Sequence, residues 1–197
     1  MSTFKRIAVS NWELYQKYHG TDRIEDYVNH LAGLEQSVYR PDMLILREKN
    51  LSEEAYEKLL EKVWKKFKDG SVKLIPHTYL KTVQKLGIAG VHLPFALFKE
   101  YRNSSKGINV IGTSVHSVEE AVEAERLGAS YVTAGHIFTT DCKPDLAPRG
   151  LEFLENVCKS VSIPVYAIGG IHPENLETIK KGGAAGACMM SEYMKLR

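Results

Sequence analysis

Four of the seven histidines in this chain stand at or near the ends of short apolar runs. His77 closes VKLIPH, His92 lies in GVHLP, His116 closes NVIGTSVH and His136 follows YVTAG. Imidazole titrates near neutrality, so a histidine so placed can accept a proton, deliver one, or ligate a metal. The other run ends are also polar or bare: Arg47, Glu48 and Lys49 after MLIL, Ser114 beside His116, Gly169 and Gly170 after PVYAI, Ser191 after GACMM. Converging imidazoles invite zinc or iron. Metal hydrolase sites of this kind recruit carboxylates too, and only Glu48 and Asp141 lie near these ends, so no metal is expected.

Two segments hold the strongest candidates. AIGGIHPEN offers bare backbone at Gly169 and Gly170, where amide N–H groups can approach a phosphate, with Ser191 on the neighbouring run; a glycine pair also simply makes a tight turn. GHIFTTDCKPDLAPRG is a long polar loop with His136 at its root and Lys143 and Arg149 farther along, and long loops in compact folds often carry function. His136 reads equally as an acid/base group or as a hydrogen-bonded core histidine. The Lys65, Lys66 and Lys68 cluster reads as a solvated helix face, and the aromatics of FALFKEY as helix packing.

These residues must be positioned by repeated elements. Eight β-branched-rich runs recur, at 6–10, 43–48, 72–77, 90–94, 109–116, 131–138, 164–170 and 186–191, and every gap between them can hold a helix. Ser52 caps a helix to Lys68 whose stripe is Leu59, Leu60, Val63 and Phe67. Ser117 with Glu120 forms a capping box for a second, stopped at Gly128, and Pro173 opens a third. Eight βα units predict an α/β fold, a compact (β/α)8 TIM barrel, whose sites sit at the C-terminal strand ends. An open doubly wound sheet would carry a Gly-rich turn after the first strand, and NWELYQKYHG follows Ser10 instead. Only six residues follow Ser191, so the last helix is truncated, and a homo-oligomer is expected to cover the gap.

Composition narrows the function classes. The 197 residues are 44% hydrophobic and 25% charged, as in one ordinary globular domain spanning 1–197. A formal net charge of +2 provides no field for nucleic acid. Cys142, Cys158 and Cys188 form no C-x-x-C pair, and no stretch reads as a signal peptide or a membrane span, so a cytoplasmic protein with no membrane partner is expected.

LILREKN, GVHLP, IGTSVHSVEEAVEAE, GHIFTTDCK, IPVYAIGGIHPEN and the closing MMS fall, in this order, where the thiamine phosphate synthase and TenI superfamily has its motifs, and the chain resembles that superfamily over nearly its whole length. The resemblance implies a (β/α)8 barrel acting on a small phosphorylated thiazole. Family synthases carry magnesium-binding carboxylates in an Asn-Asp pair after strand three and in Gly-Gln-Glu-Asp after strand four; here stand His77-Thr78 and Pro94-Phe95-Ala96. Synthases read Gly-Pro-Ile-Phe before Pro-Thr-x-Thr-Lys, whereas GHIFTTDCK is tautomerase-like. The resemblance thus implies a thiazole tautomerase needing no cofactor, with His136 as acid/base and Arg47, Lys49, Ser114, Thr140, Cys142, Lys143, Gly169, Gly170 and Ser191 around the substrate. Lys49 keeps the synthase-like spelling, and His77-Thr78 stands where tautomerases show Asn-Gly. A synthase and a noncatalytic binder of thiazole or thiamine phosphates are the alternatives.

Overall fold

The computed structural model describes residues 3–101, 104, 106–141 and 145–197. Eight strands alternate with helices in chain order: β1 (Lys5–Val9), α1 (Trp12–His19), α2 (Ile24–Gly33), β2 (Met43–Leu46), α3 (Glu53–Phe67), β3 (Lys73–Pro76), α4 (Leu80–Lys85), β4 (Gly90–Pro94), α5 (Phe95–Tyr101), β5 (Val110–Val115), α6 (Val118–Arg126), β6 (Tyr131–Gly135), α7 (Gly150–Ser160), β7 (Val165–Ile168), α8 (Leu176–Lys181), β8 (Gly186–Met189) and α9 (Ser191–Met194). Each of the eight predicted runs overlaps a strand, β1 starting one residue before its run. The α9 helix is four residues long, the truncation expected from the sequence.

All strand pairs are parallel, in the order β3-β2-β1-β8-β7-β6-β5-β4. The ring closes between β3 and β4 at one bridge, His77 opposite His92, where the Thr78 N–H donates to the His92 carbonyl at 3.0 Å. The barrel is therefore zipped at its C-terminal end, beside the candidate residues. Inside it, Ile7, Val9, Ile45, Ile75, Tyr131, Tyr166 and Cys188 pack together, and a larger apolar layer joins the outer strand faces to the helices. Strands buried on both faces explain why each reads as a continuous apolar run.

Local signals set the helix ends. Ser52 accepts from the Ala55 N–H at 3.2 Å, and Tyr56, Leu59, Leu60, Val63 and Phe67 form the buried stripe of α3. At α6 the Ser117 hydroxyl accepts from the Glu120 N–H, but the Glu120 carboxylate reaches the N–H of His116 rather than that of Ser117, so the box closes one residue earlier than expected. The short α9 is gripped from its C-terminal end: His19 donates to the Met194 carbonyl at 2.9 Å and His30 to the Tyr193 carbonyl at 3.0 Å. Two imidazoles thus satisfy carbonyls that a longer helix would have used itself.

Candidate active site

The strand ends enclose a cavity of about 590 Å³ at the C-terminal mouth. Arg47, Lys49, Ser114, His136, Thr140, Gly169, Gly170 and Ser191 all line it, as do His77 and His116. Cys142 and Lys143 lie outside the described residues. Sequence reasoning missed one wall: Leu14, Lys17 and Tyr18 of α1 face the cavity. The signal for α1 was present, because Asn11 accepts from the Leu14 N–H as an N-cap and Gly20, at φ 67°, ends the helix.

His136 sits where the loop leaves β6. That loop is closed at its base, with the Arg149 N–H donating to the His136 carbonyl at 2.9 Å and the Gly150 N–H to Ile137 at 3.1 Å. On the ring, Nε2 lies 3.2 Å from the Leu146 carbonyl. A carbonyl only accepts, so Nε2 carries the proton and Nδ1 of the neutral ring is the basic atom. His116 is fixed in the opposite sense: its Nδ1 donates to the Gly135 carbonyl at 2.7 Å, leaving Nε2 as acceptor.

The glycine pair has a demonstrable packing role. Gly169 and Gly170 have φ of 96° and 64°. A Cβ on Gly169 would stand 2.2 Å from the His136 Cβ, and one on Gly170 would stand 2.5 Å from the Thr139 carbonyl oxygen. The bare turn after β7 is what lets the His136 loop lie against it. Asn175 holds that turn, its amide donating to the Gly170 carbonyl at 2.9 Å, and the His172 ring meets Glu192 of α9 at 2.8 Å.

The other histidines part company. His92 is 2% exposed, and its ring bridges the Tyr131 hydroxyl at 3.1 Å and the Ser114 hydroxyl at 2.9 Å. Burial, reinforced by the nearby Arg47 charge, pushes it down to about 3, so it stays neutral. It is a strut beneath the cavity. His77 stacks above it at 5.4 Å and does reach the cavity; burial, then His92, Arg47 and Lys49, hold it well below the usual histidine range.

Glu48, although at a strand end, is structural. Its carboxylate accepts from the hydroxyls of Ser10 and Tyr27, both at 2.5 Å, and from the Trp12 N–H at 2.8 Å, tying β2 to α1 and α2. Among the described residues no group of three or more His, Cys, Asp or Glu side chains can hold a metal ion. The magnesium of a diphosphate-using synthase asks for hard oxygen ligands. The ends of β3 and β4 offer His77-Thr78 and Pro94-Phe95-Ala96 instead, Glu48 is engaged elsewhere, and Asp141 is the one carboxylate among the described residues that line the cavity. This donor set does not fit that ion.

Comparison with known proteins gives the family. The family model described as thiamine monophosphate synthase matches residues 19–193. The chain is 34% identical over 158 residues to the thiamine-phosphate synthase of Syntrophomonas wolfei, covering 77% of this chain and 74% of that one. It is 31% identical over 193 residues to thiamine-phosphate synthase 2 of Streptococcus pneumoniae, covering 94% and 90%. Among solved structures, thiamine phosphate pyrophosphorylase from Pyrococcus furiosus superposes with a TM-score of 0.77 at 26% identity, over 100% of this chain and 90% of that one. With a family match across most of its length and a barrel of the same design, the chain belongs to the thiamine monophosphate synthase family, whose members serve thiamine biosynthesis.

Proposed function

We propose that this chain is a thiazole tautomerase, an isomerase that aromatises a carboxythiazole phosphate. The donor set at the cavity carries this reading: a histidine with a defined basic nitrogen on the β6 loop, and no carboxylates at the ends of β3 and β4 to anchor a metal-bound diphosphate. Nδ1 of His136 takes the proton from ring C2, the electron pair moves through the ring, and the same imidazolium delivers a proton to the exocyclic carbon. No electrons enter or leave, so the step is a net isomerisation needing neither metal nor redox cofactor. In this reading the phosphate rests at the turn of Gly169 and Gly170 with Ser191 alongside, and Arg47, Lys49, Ser114 and Thr140 surround the ring and its carboxylate; the expectation for Cys142 and Lys143 falls outside the described residues. A cytoplasmic homo-oligomer belongs to the same proposal. No described helix is long and apolar enough to cross a membrane.

The names carried by the relatives, and the Arg47-Glu48-Lys49 spelling, favour a second reading, a thiamine-phosphate synthase joining a thiazole phosphate to a pyrimidine diphosphate. One experiment separates them. The purified chain is given the thiazole tautomer alone and, separately, thiazole phosphate with pyrimidine diphosphate and Mg²⁺. Aromatic product from the first mixture is expected; thiamine phosphate from the second with none from the first assigns the synthase, and saturable binding with neither product assigns a noncatalytic binder.

A further inference from the structure

The turn after β3 is built around His77. Thr78 has φ 75°, a conformation a β-branched residue rarely adopts, and its hydroxyl meets Nδ1 of the His77 ring at 2.5 Å. The turn is held from several sides. The His77 N–H donates to the Leu46 carbonyl at 3.1 Å and to the Tyr56 hydroxyl at 2.8 Å, the Thr78 N–H donates to the His92 carbonyl, and the Tyr79 hydroxyl donates to the Leu51 carbonyl at 2.9 Å. Below, the His92 ring supports the His77 ring at an interplanar angle of 22°. A left-handed Thr that survives amid so many restraints is an outlier of the kind found where a side chain is held for use.

Its place in the barrel says what for. His77 lines the cavity, and with Nδ1 occupied by Thr78, Nε2 is the polar atom it presents there. Arg47 and Lys49 line the same cavity from the end of β2 and lie close enough to act on the His77 ring. In an eight-stranded ring β3 stands diametrically opposite β7, and β2 opposite β6. The Gly169–Gly170 turn and the group of His77, Arg47 and Lys49 therefore face each other across the mouth. Such a cavity matches a ligand with an anion at each end.

We propose that His77, oriented by Thr78, donates an Nε2–H hydrogen bond to the carboxylate of the bound heterocycle, so that the β2–β3 end selects a carboxylated ligand. This rests on the tautomerase reading and names the group that recognises its substrate's second anion. Thr78 is a positioning residue, its hydroxyl donating to Nδ1 and thereby placing the ring proton on Nε2. With the charge supplied by Arg47 and Lys49, a neutral imidazole serves as a fixed donor whose action does not change across neutral pH.

The test is binding, measured by calorimetry on the full chain with two probes, a carboxythiazole phosphate and the same thiazole phosphate without its carboxylate. The wild-type chain is expected to prefer the carboxylated probe by at least tenfold, evenly from pH 6 to 8. His77→Phe, which keeps a ring on His92, should bring that preference to within about threefold, the larger loss falling on the carboxylated probe; His77→Gln, which keeps an N–H donor, should restore part of it. Thr78→Gly suits the local backbone and should fold at least as stably as the wild type, yet lose preference because Nδ1 has lost its partner. A purely structural turn would show the reverse, unchanged preference in both Thr78→Gly and His77→Phe, and that result overturns the proposal. Equal wild-type binding of the two probes also overturns it, while isomerase turnover is read separately in the tautomer assay. Binding of neither probe overturns both readings.

Discussion

Gly169 packs so tightly beneath His136 that a Cβ added to the glycine would stand 2.2 Å from the Cβ of the histidine. The turn after β7 and the loop after β6 thus form one mechanical unit, reinforced by Ile137 and Phe138 N–H groups donating to Ile168 and Gly169 carbonyls, both at 3.0 Å. Gly169→Ala should therefore act on the histidine as well as on the turn. On the tautomerase reading His136 is the acid/base group, and displacing it by about 1 Å costs on the order of 100-fold, so kcat should fall by about that factor, together with any rise in KM. Steady-state kinetics with the thiazole tautomer checks this; a change in KM alone would reduce the turn to a binding element.

On the tautomerase reading, His136→Asn should lower kcat by about 10² to 10⁴ and leave KM nearly unchanged, because the substitution removes the proton carrier and keeps a planar polar group in its place. His77→Asn should move KM rather than kcat. Near-normal kcat in His136→Asn, with loss of kcat in His77→Asn or His116→Asn, would transfer the catalytic role to one of those rings.

The barrel was legible because each of its strands is buried on both faces and so writes itself as an apolar run between amphipathic segments. The polar residue after each run marks the mouth, which is why Arg47, Ser114, His136 and Gly169 were found together. Long-range placement was not legible. Nothing near His77 and His92 tells which ring faces the cavity and which lies beneath it, since that depends on how β3 and β4 meet at the seam. Likewise Glu48 looked like a mouth carboxylate because its partners, Ser10, Trp12 and Tyr27, lie 21 to 38 residues away. The wall supplied by α1 escaped because its cap, Asn11, predicts a helix but not the direction in which that helix lies over the strands.

Glu48 offers a stability test independent of any substrate. Both carboxylate oxygens are engaged by donors, so Glu48→Gln turns an N–H₂ toward either the Trp12 N–H or the two hydroxyls. Facing Trp12, it sets donor against donor; facing Ser10 and Tyr27, it makes both hydroxyls accept and leaves their protons without the carboxylate, and either arrangement costs about 1–3 kcal/mol. Denaturant unfolding should show that loss, and Tyr27→Phe should cost less because Ser10 and Trp12 still hold the carboxylate. Equal stability of Glu48→Gln and wild type would mean that the β2 to α1 tie contributes little.

Acid sensitivity follows from the histidines buried in neutral form. His30, His77 and His92 are all held below the usual value of 6.5, mainly by burial, His92 down to about 3. A histidine whose pKa is depressed by folding contributes stability that is complete above its unfolded value and is lost as the pH falls toward its folded value, because the unfolded chain takes up the proton first. Stability should therefore decline as the pH is lowered from about 6.5, each such histidine contributing a slope of about 1.4 kcal/mol per pH unit across its own window. Glu48 has the opposite sign: burial raises its pKa above 4.5, so its protonation favours the fold on the acid side and partly offsets the loss there. The clearest interval is thus pH 6.5 to 5. His92→Gln keeps polar atoms for Tyr131 and Ser114 but does not titrate, so its unfolding free energy should fall less steeply in that interval, by one histidine's share. Denaturant titrations of both proteins at half-unit steps would show it, and identical slopes would mean that His92 takes up its proton equally in the folded and unfolded chains.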